Sequence, residues 1–197
     1  ILKNEFKNKN FLLSTGLCGH GDKSSLNKSN FVLSLKMMNK MSRINRKRNI
    51  VTVEAGAMLF DLTIYLKKNG YFIFNVPGGK NVSLGGAISG NVHGRFSSKK
   101  FANFGDNIES LKIVDEKGKI KILKKNTKLF YRVIGGQSSF GIIVEATLRV
   151  NKIRSYSFIE KKTFIKNLKE FKKFNNNNEK YFGYLNIFDR KNFFINC

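Results

Sequence analysis

The sequence predicts a mixed fold of helices and strands, of the α/β or the α+β class. Short runs rich in β-branched and aromatic residues recur along the chain, and stretches with helical spacing of apolar residues stand between them. Clusters of glycine follow several of these runs. With 197 residues, 41% hydrophobic and 25% charged, the chain can bury a sizeable core and has the composition of a globular protein.

The first half of the chain predicts four strands and one helix. The helix is predicted over residues 58–69, because Leu59, Leu62 and Leu66 have helical spacing and Asn69-Gly70 supplies a stop signal. A glycine-rich stretch follows over residues 77–94. The predicted strands cover residues 11–14, 31–35, 50–53 and 71–74.

The second half begins with a predicted hairpin, in which residues 108–114 and 120–123 flank a turn that contains Gly118. A short helix at 129–133 and a long strand at 141–150 follow. We interpret a helix at 164–174 and a strand at 181–188 as a new unit, so we divide the chain into domains 1–150 and 151–197. Because it begins with Ile1 and stops within an apolar run at Cys197, we expect both domains to be incomplete.

The net charge of +24 suggests an anionic partner, but its distribution favours a solvated surface. The lysines are spread over the whole chain among Asn, Ile and Phe, which is the usage that an AT-rich coding sequence produces. Only residues 36–48 form a basic cluster, and this cluster lacks the interleaved aromatic residues of a single-strand-binding surface. We keep a module that binds nucleic acid or an anionic surface as the alternative. The cluster consists of Lys36, Lys40, Arg43, Arg46, Lys47 and Arg48.

The cysteines and histidines predict neither a disulfide framework nor a metal site. The chain has two of each, Cys18, Cys197, His20 and His93, and their spacing does not match metal ligands. We therefore expect a reducing compartment. No apolar run approaches the roughly 20 residues of a membrane span, so no transmembrane segment is predicted. We expect a cytoplasmic location, leave a peripheral membrane contact open, and draw nothing on a signal peptide because we expect the N-terminal part of the chain to be missing.

Three glycine clusters suggest a phosphate-bearing ligand. Glycine permits positive φ and lets backbone N–H groups approach an anion, although any single cluster is also explained by ordinary turns. The small residues of the segment 85–90 suit contact with a dinucleotide pyrophosphate. A Rossmann fingerprint and a P-loop are both missing, so another fold is expected to hold the ligand. The clusters are Gly16, Gly19 and Gly21; Gly78, Gly79, Gly85, Gly86, Gly90 and Gly94; and Gly135, Gly136 and Gly141.

Five motifs, in order, resemble the FAD-binding domain of the vanillyl-alcohol oxidase (PCMH-type) flavoproteins. The resemblance covers roughly residues 11–150 and is greatest to the decaprenylphosphoryl-ribose oxidase and sugar-lactone oxidase branch. It implies an α+β class, with a two-subdomain FAD-binding fold followed by the start of an α+β substrate domain. The motifs are Gly16-Leu17-Cys18-Gly19-His20-Gly21-Asp22, Val51-Thr52-Val53-Glu54-Ala55-Gly56-Ala57, residues 82–94, Phe104-Gly105-Asp106-Asn107-Ile108, and Gly135-Gly136 through Phe140-Gly141-Ile142-Ile143.

The resemblance also implies where the cofactor FAD lies along these motifs. The first loop wraps the pyrophosphate, the segment 82–90 packs against the pyrophosphate and the isoalloxazine, and the later motifs line the ring, the ribityl chain and the adenosine. The implied cofactor-binding residues are Gly16, Gly19, His20, Gly21, Asp22, Val82, Ser83, Gly85, Gly86, Ala87, Ser89, Gly90, Asn91, His93, Gly94, Gly105, Asn107, Gly141, Ile142 and Ile143.

Two side chains within these motifs, and one directly after the third motif, are candidates for chemistry. His20 is expected to contact the flavin. The chain has the histidine of the tethering motif Gly-His-Ser but not its serine, so a covalent bond between His20 and the flavin is kept only as the less favoured alternative. His93 is a candidate catalytic residue beside the ring, where it positions the substrate or stabilises the reduced flavin; the alternative is a structural histidine. Arg95 is the second catalytic candidate, as a clamp for phosphate or carboxylate, and its alternative is an exposed surface charge.

The implied activity is that of an FAD-dependent oxidoreductase acting on CH–OH groups. A hydride would pass from an alcohol carbon of a sugar, a sugar-phosphate lipid or a lactone-type substrate to the flavin. The implied partners are this sugar-like molecule and an electron acceptor that the sequence does not identify; nucleic acid is not expected. A catalytically inactive flavin-binding homologue is a further alternative.

Overall fold

The computed structural model describes residues 13–15, 32–79, 81–94, 100–154, 162–165, 167–177, 182–185 and 193–196. Helices and strands alternate along these residues, and a 3-10 helix at Phe104–Asn107 precedes the longest hairpin. The strands and helices, in chain order, are β1 (Leu13–Thr15), β2 (Val32–Ser34), β3 (Ile50–Glu54), α1 (Leu59–Lys68), β4 (Tyr71–Phe72), α2 (Leu84–Ser89), β5 (Ile108–Val114), β6 (Ile120–Lys124), α3 (Lys128–Val133), β7 (Ile142–Arg149), β8 (Asn151–Lys152), β9 (Lys162–Ile165), α4 (Leu168–Asn177), β10 (Phe182–Leu185) and β11 (Phe193–Asn196).

A four-stranded antiparallel sheet in the order β3-β7-β5-β6 forms the centre of the fold. Its strands alternate between buried and more exposed positions, so one face carries the apolar side chains that the core needs. The other face carries a Lys112 to Glu145 ion pair and a hydrogen bond between Thr52 and Thr147, while β6 exposes Ile120 and Ile122. The core includes Val51, Val53, Leu111, Ile113, Ala146 and Leu148 from the sheet, together with Leu59, Leu62, Leu66, Leu84, Ala87 and Ile88 from α1 and α2.

Helix α1 forms where the leucine spacing predicts it. Leu59, Leu62 and Leu66 are its buried residues, so they make up one apolar stripe against the core. An acidic residue in its first turn and lysines in its last turn complement the helix dipole. Gly70, with φ of +80°, ends it in the left-handed conformation that the stop signal requires. The prediction of a helix over 58–69 is confirmed to within a residue or two at each end.

The predicted hairpin is also confirmed, and Asp115 holds its turn. The Asp115 carboxylate accepts hydrogen bonds from the backbone N–H groups of Lys117 and Lys119, at 3.0 and 2.8 Å, and pairs with Lys121 at 2.8 Å. Gly118 supplies the positive φ of the turn, at +70°. The hydrogen bond from Lys121, followed by that from the Lys119 backbone, lowers the pKa of Asp115 from 3.8 to about 2.

The basic segment has a structural role beside the sheet. Residues 38–45 run along the outer edge of β3 and hydrogen-bond to it, with Ser42 N–H donating to Thr52 O at 2.8 Å and Glu54 N–H to Lys40 O at 2.9 Å. Isolated bridges join Met41 to Val53 and Asn45 to Ile50. The segment therefore covers an edge strand that would otherwise present unpaired backbone groups.

Two segments differ from their predicted structure. The predicted helix 164–174 begins only at Leu168, because Asn167 caps it by accepting a hydrogen bond from Glu170 N–H at 2.9 Å. Phe164 and Ile165 belong instead to β9, which pairs with β11 in a three-stranded sheet of order β10-β11-β9. The glycine-rich stretch contains α2, a helix that its low intrinsic propensity conceals in the sequence.

The remaining predicted strands are found with shifted ends: β3 extends one residue beyond the predicted 50–53, and β10 is shorter than the predicted 181–188. Strands β1 and β2 pair in parallel. Strand β2 lies within the predicted range 31–35, and β1 ends one residue beyond the predicted range 11–14. Strand β4 ends at Phe72, and it pairs with β8. Ile153 N–H also donates to Gly70 O at 2.9 Å, so residues 151–153 remain bonded to the first unit. The division between 1–150 and 151–197 stays a prediction.

Among the described residues, no helix combines the length and the apolar character that crossing a bilayer requires.

Candidate cofactor-binding site

Helix α2 is the central element of the candidate site, and its first N–H groups are bound within the protein. Leu84 N–H donates to Ala57 O and Gly85 N–H to Ala55 O, both at 2.8 Å, while Gly86 N–H donates to the Ser83 hydroxyl at 3.2 Å. The start of this helix is therefore not the anion cradle that the glycine-rich sequence suggests, since its donors are occupied. What α2 offers a ligand is a surface without side chains.

That surface is the exposed face formed by Gly86 and Gly90, one turn apart on α2. The opposite face carries Leu84, Ala87 and Ile88, which are buried. A Cβ added at Gly86 would meet only the Ser83 hydroxyl, at 3.1 Å. Packing within the chain thus gives little reason for a glycine here.

A glycine within a helix costs about 1 kcal/mol relative to alanine. Exposed Gly86 therefore fits a ligand that approaches the helix backbone closely, as an extended dinucleotide does. The residues present are compatible with FAD on this observation.

The opposite end of α2 is fixed by the loop at residues 135–141. Gly135 N–H donates to Ile88 O at 3.0 Å, and Gln137 N–H to Ser89 O at 3.1 Å, so the last carbonyls of the helix are satisfied. Gln137 and Ser138 lie consecutively in the left-handed region, with φ of +47° and +63°. Residues other than glycine rarely adopt this conformation, and such strain clusters at ligand sites.

The end of this loop leads into β7 through Gly141, Ile142 and Ile143. Gly141 has a φ of +126°, and a Cβ added there would lie 2.8 Å from Val114 O. The side chains of Ile142 and Ile143 are buried in the core. Only the backbone of these three residues can therefore contact a ligand.

Two asparagines implied as cofactor contacts bind the protein itself. Asn107 is fully buried; its side-chain amide donates to Phe74 O and Phe104 O, both at 2.9 Å, and accepts from Phe74 N–H at 3.2 Å. Asn91, with a φ of +40°, accepts a hydrogen bond from Gly105 N–H at 3.1 Å. The Asn107 side chain has both donors in use, so its role in the structure is to hold the chain rather than a ligand.

His93 is an exposed residue four positions beyond Ser89, the last residue of α2. Its Nδ1 lies 3.3 Å from the carbonyl oxygen of Gly94. Gly94 N–H in turn donates to Oδ1 of Asn75, a residue that the sequence analysis did not single out. A Cβ at Gly94 would lie 2.5 Å from Val76 O, so this glycine is required by packing. The sequence signal that could have indicated Asn75 is a single polar residue between the apolar run Phe72-Ile73-Phe74 and Val76.

The structure brings together only part of the implied site. Two of the implied motifs meet at α2 and the residues that follow it. They are the 3-10 helix with Gly105 and Asn107 and the loop that ends at Ile143. Val82, Ser83, Ala87 and Ser89 face the protein or are half-buried within it. The first glycine loop, with Gly16, Gly19, His20, Gly21 and Asp22, and the candidate Arg95 lie outside the described residues.

These features define a mixed α+β domain that offers a glycine-faced helix to a large cofactor. The protein family described as "FAD binding domain" matches residues 7–124, which is more than half of the chain. The chain belongs to this family. The match confirms FAD as the predicted cofactor and the resemblance from which the prediction came.

Relatives of known activity are similar over much of the chain. Decaprenylphosphoryl-β-D-ribose oxidase of Mycolicibacterium smegmatis is 27% identical over 71% of this chain and 31% of its own length. A mitochondrial L-galactono-1,4-lactone dehydrogenase of Oryza sativa subsp. japonica is 29% identical, over 82% of this chain and 27% of its own. The D-arabinono-1,4-lactone oxidase of Saccharomyces cerevisiae is 35% identical, over 51% and 19%. The chain thus spans less than a third of the length of these relatives.

A solved structure supports the fold class. A variant of Phl p 4, a glucose oxidase, superposes with a TM-score of 0.62 and 23% identity, covering 72% of this chain and 30% of that one. The α+β prediction is confirmed by this likeness and by the helices and antiparallel strands described above.

Proposed function

We propose that this chain is the FAD-binding part of an oxidoreductase that oxidises an alcohol carbon of a sugar, a sugar-phosphate lipid or a sugar-lactone-type molecule. The observation that carries the proposal is the exposed glycine face of α2, which ends at the exposed His93. The named activities of the relatives support the substrate class, since they are oxidases and dehydrogenases of sugar derivatives.

In this proposal the chain holds the cofactor and orients the substrate. Gly86 and Gly90 allow the cofactor to lie against the α2 backbone, and the backbone of residues 141–143 borders its path. The assignment of residues 16–22 to the pyrophosphate rests on the family resemblance alone and stays a prediction. When bound, FAD supplies an acceptor for the hydride that leaves the substrate carbon.

His93 and Arg95 are the proposed substrate-facing side chains. His93 is exposed and its ring is oriented by the Gly94 carbonyl, which suits contact with a substrate hydroxyl. Arg95 follows directly and would clamp a phosphate or carboxylate through its guanidinium fork. The electron acceptor, a peripheral membrane contact and a bond from His20 to the flavin stay predictions.

The absorbance spectrum of the purified protein tests the proposal. We expect the two bands of an oxidised flavin, and bleaching of the visible band when a sugar or sugar lactone is added without oxygen. Bands that no such substrate bleaches would indicate the inactive homologue. A colourless protein that reconstitution with FAD leaves colourless, and that binds DNA with a strong salt dependence, would support the basic binding module instead.

A further inference from the structure

Asn75 joins two separate parts of the chain through one buried side chain. It is 6% exposed and has a φ of +58°, a conformation that asparagine tolerates better than most residues. Its Oδ1 accepts the hydrogen bond from Gly94 N–H. Its Nδ2 donates to Phe101 O, at 3.1 Å, and to Ala102 O.

These bonds fix the peptide that follows His93. Both donors of the amide and one of its acceptor positions are in use, and a buried amide loses free energy when such partners are removed. Gly94 is also pressed against the backbone at Val76, so its position is set from two sides. The N–H group and the Cα of Gly94 are therefore held in place, and the Gly94 carbonyl, which belongs to the next peptide, extends from this fixed Cα.

The Gly94 carbonyl favours one tautomer of the neutral His93 ring. A carbonyl oxygen can only accept a hydrogen bond, so the 3.3 Å contact requires the proton on Nδ1. In the neutral imidazole the other nitrogen, Nε2, is then an acceptor. Since His93 is exposed, this nitrogen is available to a ligand.

We propose that Asn75 is a positioning residue for His93. By anchoring the His93–Gly94 peptide it fixes the Cα from which the Gly94 carbonyl extends, and so favours the Nδ1–H tautomer and presents Nε2 as the acceptor for the hydroxyl proton of the substrate. The proposal rests on the proposed oxidation. In that reaction the proton of the substrate hydroxyl goes to Nε2, the hydride leaves the carbon that bears this hydroxyl for FAD, and the alcohol becomes a carbonyl group. Asn75 itself touches neither the substrate nor the cofactor in this scheme.

Two variants and one control separate positioning from general stability. Asn75→Gly removes the side chain and tolerates the positive φ, whereas Asn75→Asp keeps an oxygen for Gly94 N–H and also tolerates that backbone. The control is Asn126→Gly, at an exposed turn residue with a φ of +87°. The readouts are hydrogen exchange of the Gly94 amide and the 15N shifts of the His93 ring, identified by their loss in a His93→Gln sample.

In Asn75→Gly we expect the Gly94 amide to exchange about tenfold faster and the His93 ring to shift toward a mixture of tautomers. Asn75→Asp keeps the oxygen that accepts from Gly94 N–H but replaces the donor to Phe101 O and Ala102 O by an acceptor, so it should lower the melting temperature and still retain more Gly94 protection than Asn75→Gly. Asn126→Gly should change neither readout. Unchanged Gly94 exchange or unchanged tautomer in Asn75→Gly would overturn the proposal. The proposal would also be overturned if both Asn75 variants lost Gly94 protection equally and in proportion to their melting temperatures, because the loss would then report general stability.

These measurements require neither flavin nor turnover, so they stay informative if the proposed oxidation fails. A wild-type protein that holds FAD but oxidises no sugar derivative would contradict the proposed function and leave the Asn75 contact intact. In an active holoenzyme, we expect Asn75→Gly to lower kcat while KM changes little, because it disturbs the proton acceptor and leaves the binding surface in place.

Discussion

At the scale of single residues, glycines that look alike in the sequence have different physical reasons to be there. A Cβ at Gly56 would lie 1.9 Å from Leu35 O, and one at Gly136 would lie 2.2 Å from Arg132 O. Backbone packing excludes a side chain at both positions. Gly86 has no such backbone neighbour, which is consistent with the proposal that its surface faces the cofactor.

The variant Gly86→Leu tests this distinction. We expect its affinity for FAD to fall at least tenfold, because the side chain occupies the surface along which the cofactor lies, while the free energy of unfolding without FAD changes by no more than about 1 kcal/mol. Flavin fluorescence titration and urea denaturation measure the two effects. The matched control is Gly56→Ala, which should destabilise the protein by more than about 2 kcal/mol because its Cβ meets backbone. Full flavin affinity in Gly86→Leu would contradict the assignment of this face.

Strain at Gln137 gives a second prediction. Because its φ is +47° and its side chain is exposed, Gln137→Gly should raise the free energy of unfolding by about 0.5–1 kcal/mol. The nearby Ser139 has no positive φ, so Ser139→Gly should be neutral or slightly destabilising. Urea midpoints of the two variants provide the comparison, and the same sign for both would show that left-handed strain is not stored at Gln137.

At the scale of elements, the β5-β6 hairpin depends on one carboxylate. The pKa of Asp115 is about 2 in the folded protein and 3.8 without its partners, so its contribution to stability is fully present above pH 3.8. That contribution is lost as the pH falls from 3.8 through about 2, because the unfolded chain then binds the proton first.

Asp115→Asn should therefore lower the urea midpoint at neutral pH and flatten its dependence between pH 3.8 and about 2. Lys121→Gln should remove only part of that dependence, since the backbone donors at Lys117 and Lys119 remain. A slope in Asp115→Asn equal to that of the wild type over this interval would contradict the role of the turn.

The elements that the sequence predicts well are those with strong periodicity. Helix α1 has three leucines at helical spacing and a glycine stop, and the hairpin has alternating strands around Gly118. Helix α2 was missed because glycines at 85 and 86 lower its helix propensity, while its stability comes from bonds to Ala55 and Ala57 that no local pattern reveals. The shifted start of α4 reflects the cap at Asn167, which lies inside the predicted helix.

At the scale of the whole molecule, the motifs of the candidate site were predictable in order but their mutual contacts were not. Asn91 binds Gly105, and Asn107 binds Phe74, across 14 and 33 residues of sequence. A motif indicates that such residues lie near the cofactor, whereas only the fold shows that their side chains bind backbone. Asn75 lies outside the motifs for the same reason. Its bonds to Gly94, Phe101 and Ala102 span 19 to 27 residues of sequence, so no local pattern reveals them.

The net charge of +24 leads to a prediction for the molecule as a whole. Mutual repulsion among the lysines and arginines destabilises the compact state, and salt screens it over a Debye length of about 10 Å at 0.1 M. We expect the melting temperature to rise as sodium chloride is increased from low to moderate ionic strength. Differential scanning calorimetry measures this, and a melting temperature that falls with added salt would show that attractive ion pairs dominate instead.

Helix α2 is bonded at its first turn to the backbone at Ala55 and Ala57 and at its last turn to the loop at Gly135 and Gln137. None of these bonds involves a ligand. The glycine face that we propose as the cofactor surface is thus preorganised, so we expect little conformational entropy of this helix to be lost on binding. We expect empty and loaded protein to differ little here, which would leave affinity for the cofactor to be adjusted by the surrounding loops.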